Sequence, residues 1–320
     1  MESQVAPTVA PTAGSRGRRA PSGTQYRIRH GEHHATITEG SAAVREYRVG
    51  ERDVFQSFGE HEIAAAYHGC VLIPWPNRIA AGRYAFDGEE HQLAISEPER
   101  NAALHGLACW RPWTLEDHQP DRVALSFRIL PSPGYPFHLD TTVEYRLDAG
   151  GMQVTTTSLN SGDRPCPYAL GFHPYLAAAP GSVVDECALS LDVRRRLVPD
   201  ELLIPRGDEP VAGGGYDFRA PRPVGGLSVD DAFTDVVRDE QGRSWARLRG
   251  ADGRTAAIWA DRNFGYWQAY SADRLPAPMT RRAMALEPMT AAPNAFNTGD
   301  GLIRLDPGES FTAVWGATLL

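Results

Sequence analysis

A chain of 320 residues with 32 basic and 40 acidic side chains carries a formal charge of −8, and its pI of about 5.7 argues against the broad cationic surface that nucleic acid or anionic lipid requires. Every basic residue is arginine, which removes Schiff-base chemistry, a pyridoxal phosphate anchor and a P-loop lysine. Mean hydropathy is −0.37, and no apolar run approaches the ~18 residues of a membrane helix, so neither a nucleic-acid nor a membrane partner is expected.

Residues 1–24 are rich in Ala, Pro, Thr, Ser, Gly and Arg. They offer little to bury and are expected to form a disordered tail, with one domain over 25–320. Within this stretch the Arg18-Arg19 pair is followed by Ala20-Pro21-Ser22-Gly23 rather than an apolar segment, so no export signal is read. Further on, Val123, Leu125, Phe127 and Ile129 share one face of a strand, as do Val143, Tyr145 and Leu147. Met152–Thr157 is a β-branched run, and later strand candidates are 189–193, 255–259, 264–270, 284–286, 302–305 and 311–319. Turn chemistry separates them at Asp87-Gly88, Ala149-Gly150-Gly151, Asp252-Gly253 and Asp306-Pro307-Gly308. With 31 Gly and 25 Pro, and no sustained 3.6-residue apolar period, the pattern predicts an all-β protein, a large antiparallel sandwich or barrel. Cys70, Cys109, Cys166 and Cys187 stand far apart without a C-x-x-C pair. Reduced thiols and a cytoplasmic location are expected, and no zinc site.

Five polar motifs carry the candidate chemistry. Arg78 lies in Pro74-Trp75-Pro76-Asn77-Arg78-Ile79, where its planar fork of donors suits vicinal hydroxyls or ties down carbonyls in a rigid turn. His105 follows Leu104 and precedes Gly106, and reads either as a structural histidine or as one approached closely by backbone. In Gly171-Phe172-His173-Pro174-Tyr175 the proline restricts His173 to extended conformations, which suits an imidazole acid or base. Asp230 opens Asp230-Asp231-Ala232-Phe233, whose plain reading is a turn or helix cap. Glu287 follows the apolar Met284-Ala285-Leu286, and Pro288 is expected to end that strand. That would leave a carboxylate at the rim of a sheet, either as a general base or simply solvated.

Taken in order, Asn-Arg-Ile, Leu-His-Gly, His-x-Tyr, Asp-x-x-Phe and Glu-Pro, followed by Pro293-Asn294-Ala295-Phe296-Asn297, resemble the aldose 1-epimerase (galactose mutarotase) family. The resemblance runs from about residue 30 to the C-terminus and includes Gly134-Tyr135-Pro136, Val143-Glu144-Tyr145 and Asn160 with Gly162-Asp163. It implies a large antiparallel β-sandwich with a sugar cleft on one concave sheet, using no cofactor and no metal. It further implies Glu287 as general base and His173 as general acid, with Arg78, His105 and Asp230 binding a small-molecule aldose. The implied reaction interconverts α and β anomers through the open-chain sugar, and Asp230 is expected to be the carboxylate that keeps His173 protonated. Phe172, Leu176 and Pro288 depart from the family's usual pattern around the histidine and the glutamate, which leaves the choice of sugar open.

Three other readings stay in view. A glycoside hydrolase would need two carboxylates flanking the bond, for which Glu287 and Asp230 are the candidates. A non-catalytic sugar sensor would keep Arg78, His105 and the aromatic faces. A sugar-phosphate mutarotase would need cations at the cleft edge.

Overall fold

The computed structural model describes residues 20–320. Antiparallel strands dominate it, and among the described residues the only α-helix is the short Ala295–Thr298. Two large sheets, of twelve and nine strands, carry the architecture, as the alternation of apolar residues and the turn-rich spacing predict. The disordered tail expected over 1–24 lies, for residues 1–19, outside the described residues. At its inner end the chain is held: Gly23 N–H donates to the Ala20 carbonyl at 2.9 Å, and Gly40 N–H to that of Ser22 at 2.8 Å.

The nine-stranded sheet is built around the hairpins predicted from period-two patterns. Strand Leu139–Asp148 pairs on one side with Arg122–Ile129 and on the other with Gly151–Leu159. Val143, Tyr145 and Leu147 point inward while Thr142, Glu144 and Arg146 alternate outward. Gly151–Leu159 then pairs with the distant strand Ser310–Leu319, whose Trp315 is 1% exposed. This ring packs against Phe55 and Phe172, with centroids at 6.3 and 5.0 Å, and both partners come from the twelve-stranded sheet. The Tyr47 hydroxyl crosses the same interface to the Ala317 carbonyl at 3.2 Å. The two sheets therefore form a sandwich filled by large rings.

The segment expected as one strand over 189–193 is two. Ala188–Leu191 pairs with Ser244–Arg249 in the nine-stranded sheet, whereas Val193–Pro199 pairs with Asp230–Val236 in the other. Asp192 is the pivot: its N–H donates to the Trp245 carbonyl, its own carbonyl accepts from Val237 N–H, and its carboxylate accepts from Trp245 N–H and Arg247. The strands before residue 120, such as Gln25–His30 and His33–Thr38, lie outside the predicted set because their outward charges and histidines dilute the apolar signal. Asp230 and Asp231 open a strand, not a turn or cap.

The expected strand end at Pro288 is not observed: Ala283–Met289 runs through it, buried along its whole length. Leu286 N–H donates to the Pro174 carbonyl and Thr290 N–H to that of Leu170. Proline's missing donor thus removes one rung, opposite Phe172, where the neighbouring chain is broken between Gly171–Phe172 and Tyr175–Ala177. The two rungs beside the gap hold the strand in place. Glu287 consequently sits inside a central strand and not at a rim.

No helix among the described residues is long and apolar enough to cross a membrane, and all four cysteines are free. If Trp315 is the main filler between the sheets, Trp315→Ala should lower the unfolding free energy by about 3–5 kcal/mol in urea titrations. A loss below about 1 kcal/mol would show that the sheets pack without it.

Candidate active site

Glu287 is flanked on both sides along the sheet. Strand Tyr266–Tyr270 places Gln268 directly opposite it. On the other side, the pairs Gly171↔Met289 and Tyr175↔Ala285 set the register that brings His173 across from Glu287. This is a non-hydrogen-bonded position, where facing side chains sit closest. His173 Nε2 lies 3.3 Å from Glu287 Oε1, with the side chains 6% and 2% exposed. The backbone of His173 is fixed by its N–H to the Cys70 carbonyl and by Gly69 N–H to its own carbonyl. Its ring stacks on Tyr175 at 5.0 Å, which stacks in turn on the buried His68 at 4.5 Å.

The three remaining predicted residues converge on the same pair, and all five line one cavity of about 330 Å³. His105 has a left-handed backbone (φ 59°), as does Gly106 after it (φ 76°). A Cβ on Gly106 would lie 2.0 Å from the Ile73 carbonyl oxygen, so only glycine fits there. His105 Nδ1 accepts the Asn77 N–H at 3.1 Å, which fixes the proton on Nε2. Arg78 is aimed less by its flanking prolines than by Glu97, which takes its Nε and Nη2 at 2.6 and 2.8 Å. Asp230 accepts from Gln268 Nε2 at 2.9 Å. A larger hollow of about 750 Å³ near Ala20–Gln25 and Trp110 contains none of these residues, so volume alone does not locate the chemistry.

Burial sets the proton affinities. It pushes Glu287 well above the usual carboxylate range, aided by Asp230 and opposed by Arg78. It also holds His173 down to about 3, with His68 and Arg78 pushing the same way. Asp230 is raised to about 6, again chiefly by burial. The expectation that Asp230 keeps His173 cationic is therefore corrected. The carboxylate against His173 is Glu287, Asp230 is engaged by Gln268, and desolvation favours a neutral imidazole beside a protonated Glu287. Glu287 Oε2 and His173 Nδ1 are buried without a protein hydrogen-bond partner.

Donor atoms of His105, His173 and Glu287 all lie within 4.8 Å of one another, a spacing that could hold a metal ion. The tautomer of His105 opposes this. Its Nδ1 lone pair is occupied by the Asn77 N–H, so Nε2 carries a proton and offers no lone pair.

The molecule compares closely with known proteins. Residues 24–317 match the sequence family described as aldose 1-epimerase. The chain belongs to the aldose 1-epimerase family. It is 33% identical over 289 residues to YihR, an uncharacterized protein of Escherichia coli, covering 90% of this chain and 91% of that one. It is also 33% identical over 204 residues to human galactose mutarotase, covering 59% of this chain and 56% of that protein. Among solved structures, an aldose epimerase homologue from C. elegans superposes with a TM-score of 0.81 at 20% identity, covering 93% and 98% of the two chains. A galactose mutarotase-like protein from Clostridium acetobutylicum gives 0.81 at 17% identity, covering 92% and 94%. The all-β antiparallel fold expected from the resemblance is thus the fold of the family.

Within this member of the aldose 1-epimerase family, further residues belong to the site. Asn77, in a left-handed conformation (φ 54°), links His105 to Gln268 through its Nδ2 at 3.3 Å. Its place beside Arg78, and asparagine's tolerance of that conformation, were the available signals. Gln268 was detectable as the polar residue inside an apolar strand; Glu97 gave no signal. Gly106→Ala should destabilise the protein by more than about 1 kcal/mol, read as a lower Tm. An unchanged Tm would mean that the loop carrying His105 can move away from Ile73.

Proposed function

We propose that this cleft interconverts the α and β anomers of a free aldose by acid–base ring opening and closure. The observation that supports it most is the buried contact between His173 and Glu287 in the wall of the cavity, two groups whose proton affinities burial shifts in opposite directions so that one proton can pass between them. A pure binding site has no need of such a pair. When a sugar hydroxyl donates to Glu287, its anion is stabilised and the proton passes to His173 across the 3.3 Å contact. Glu287 then takes the proton from the C1 hydroxyl, His173 gives its proton to the ring oxygen, and the C1–O5 bond breaks to leave the aldehyde. Rotation about C1–C2 and reversal of both transfers closes the ring on the other face. His105 donates through Nε2–H, Arg78 through its unused N–H groups, and Asp230 accepts from hydroxyls.

Glu287→Gln and His173→Ala should each cut catalysed mutarotation by about 10²–10⁴-fold, measured by polarimetry on freshly dissolved α-glucose and α-galactose. Full activity in both folded variants would overturn the proposal, and nitrophenol release from nitrophenyl glycosides would point to hydrolysis instead.

The pH dependence follows from burial. Adding a second proton to the pair means protonating His173, which is held near 3, so kcat should stay flat through 6.5, the ordinary imidazole value. Asp230 protonates on descending through about 6 and then loses an acceptor, so KM should rise below that pH. A kcat inflection near 6.5 would show that His173 titrates as an exposed ring.

A further inference from the structure

Arg78, Glu97 and Arg100 form a buried charge triad in the wall of the cleft, with side chains 10%, 10% and 11% exposed. Glu97 Oε2 and Oε1 take Arg78 Nε and Nη2 at 2.6 and 2.8 Å, and Oε1 also faces Arg100 Nε at 3.3 Å. A guanidinium has five N–H donors. Two go to Glu97, and a third from Nη1 reaches Asn77 Oδ1 at 3.4 Å, which leaves a donor on each terminal nitrogen. The carboxylate thereby fixes the plane of the guanidinium and decides which of its edges is free. Glu97 sits just before the single-turn segment Pro98–Arg100, and its own carbonyl accepts the N–H groups of Arg100 and Ala102. Its position is therefore set by backbone as well as by charge.

Resting on the reading of the cleft as a sugar site, we infer that Glu97 is a positioning residue: it orients Arg78 toward sugar hydroxyls and neutralises its charge within the cleft. The second role reaches Asp230. The charged and titratable groups facing Asp230 are Arg78, Glu97, Asp231, Glu287, Tyr175 and Tyr270. Asp231 is itself neutralised by Arg196 at 2.6 Å. Of these groups, Glu97 pushes the proton affinity of Asp230 up and Arg78 pulls it down. Removing the charge of Glu97 releases the full pull of Arg78, so Asp230 titrates at lower pH.

The test is Glu97→Gln, measured by calorimetric titration with galactose and glucose and by polarimetry across pH. The affinity for sugar and 1/KM should both fall by about tenfold, kcat should change less, and the rise of KM near pH 6 should move to lower pH. Loss of packing alone would weaken binding without moving that inflection. Because Glu97→Gln leaves Arg78 and Arg100 without their carboxylate, and this can unfold the chain, the cycle is completed with Arg78→Gln and the double variant, in which Arg100 is the one member of the triad left charged. If Glu97 acts through Arg78, the double variant binds sugar no more weakly than Arg78→Gln alone. Wild-type affinity and an unmoved inflection in Glu97→Gln, or a further loss in the double variant, would overturn the inference. The calorimetry needs no turnover, so a wild-type protein that binds sugar without exchanging anomers overturns the proposed reaction and not the role of Glu97.

Discussion

Burying a carboxylate beside an imidazole in the middle of a sheet is costly unless the two share a proton, and much of the cleft is arranged around that condition. Glu287 lies within a strand, and His173 faces it from the break between Gly171–Phe172 and Tyr175–Ala177. Each is too deeply buried to hold its usual charge alone, and together they carry one proton. The shifts reflect desolvation first and neighbouring charges second. The rings of Tyr175 and His105 pack against His173, with His68 behind Tyr175, while Arg78 eases ionisation of Glu287.

The sheet supplies precision in the plane, and loops supply the rest. Glu287, Gln268 and Asp230 come from three neighbouring strands in fixed register. Arg78 and His105 come from a small two-stranded ribbon whose tight closure over Ile73 needs the left-handed backbone at His105 and Gly106. A network of Asn77, Gln268 and Asp230 ties the two sources together. Side-chain hydrogen bonds of this kind are modest singly, but here each one also restricts a side chain that a ligand would otherwise have to order.

The fold class was legible because period-two burial is a local property: Val143, Tyr145 and Leu147 announce their strand without reference to anything distant. The motif residues were legible as a set, and they do converge on one cavity. What could not be read was anything decided by pairing. Pro288 looks like a strand end until its missing N–H is seen to face a break in the neighbouring chain. The partner of His173 was taken to be Asp230, since nothing local says that register gives that place to Glu287. Glu97 escaped notice because a glutamate before a proline looks like a solvated turn until Arg78 and Arg100 close around it.

The order of strands has a consequence for assembly. In the twelve-stranded sheet the path runs from Tyr175–Ala177 to Ala283–Met289, back to Tyr266–Tyr270, then to Asp230–Val236 and Val193–Pro199, and the Asp192 pivot ties its last members to the other sheet. Apart from the consecutive strands Tyr266–Tyr270 and Ala283–Met289, these neighbours in space are distant in sequence, so the polypeptide must close long loops before those contacts reward it, a topology associated with slow folding. Local pairings can bring Gln268 to Glu287 and Arg78 to His105, but the complete cleft needs these two units and the segment carrying His173 to meet within the finished sandwich. Ligand occupancy at this cleft is thus a readout of complete maturation, and a chain that stalls part-way exposes unpaired strand edges.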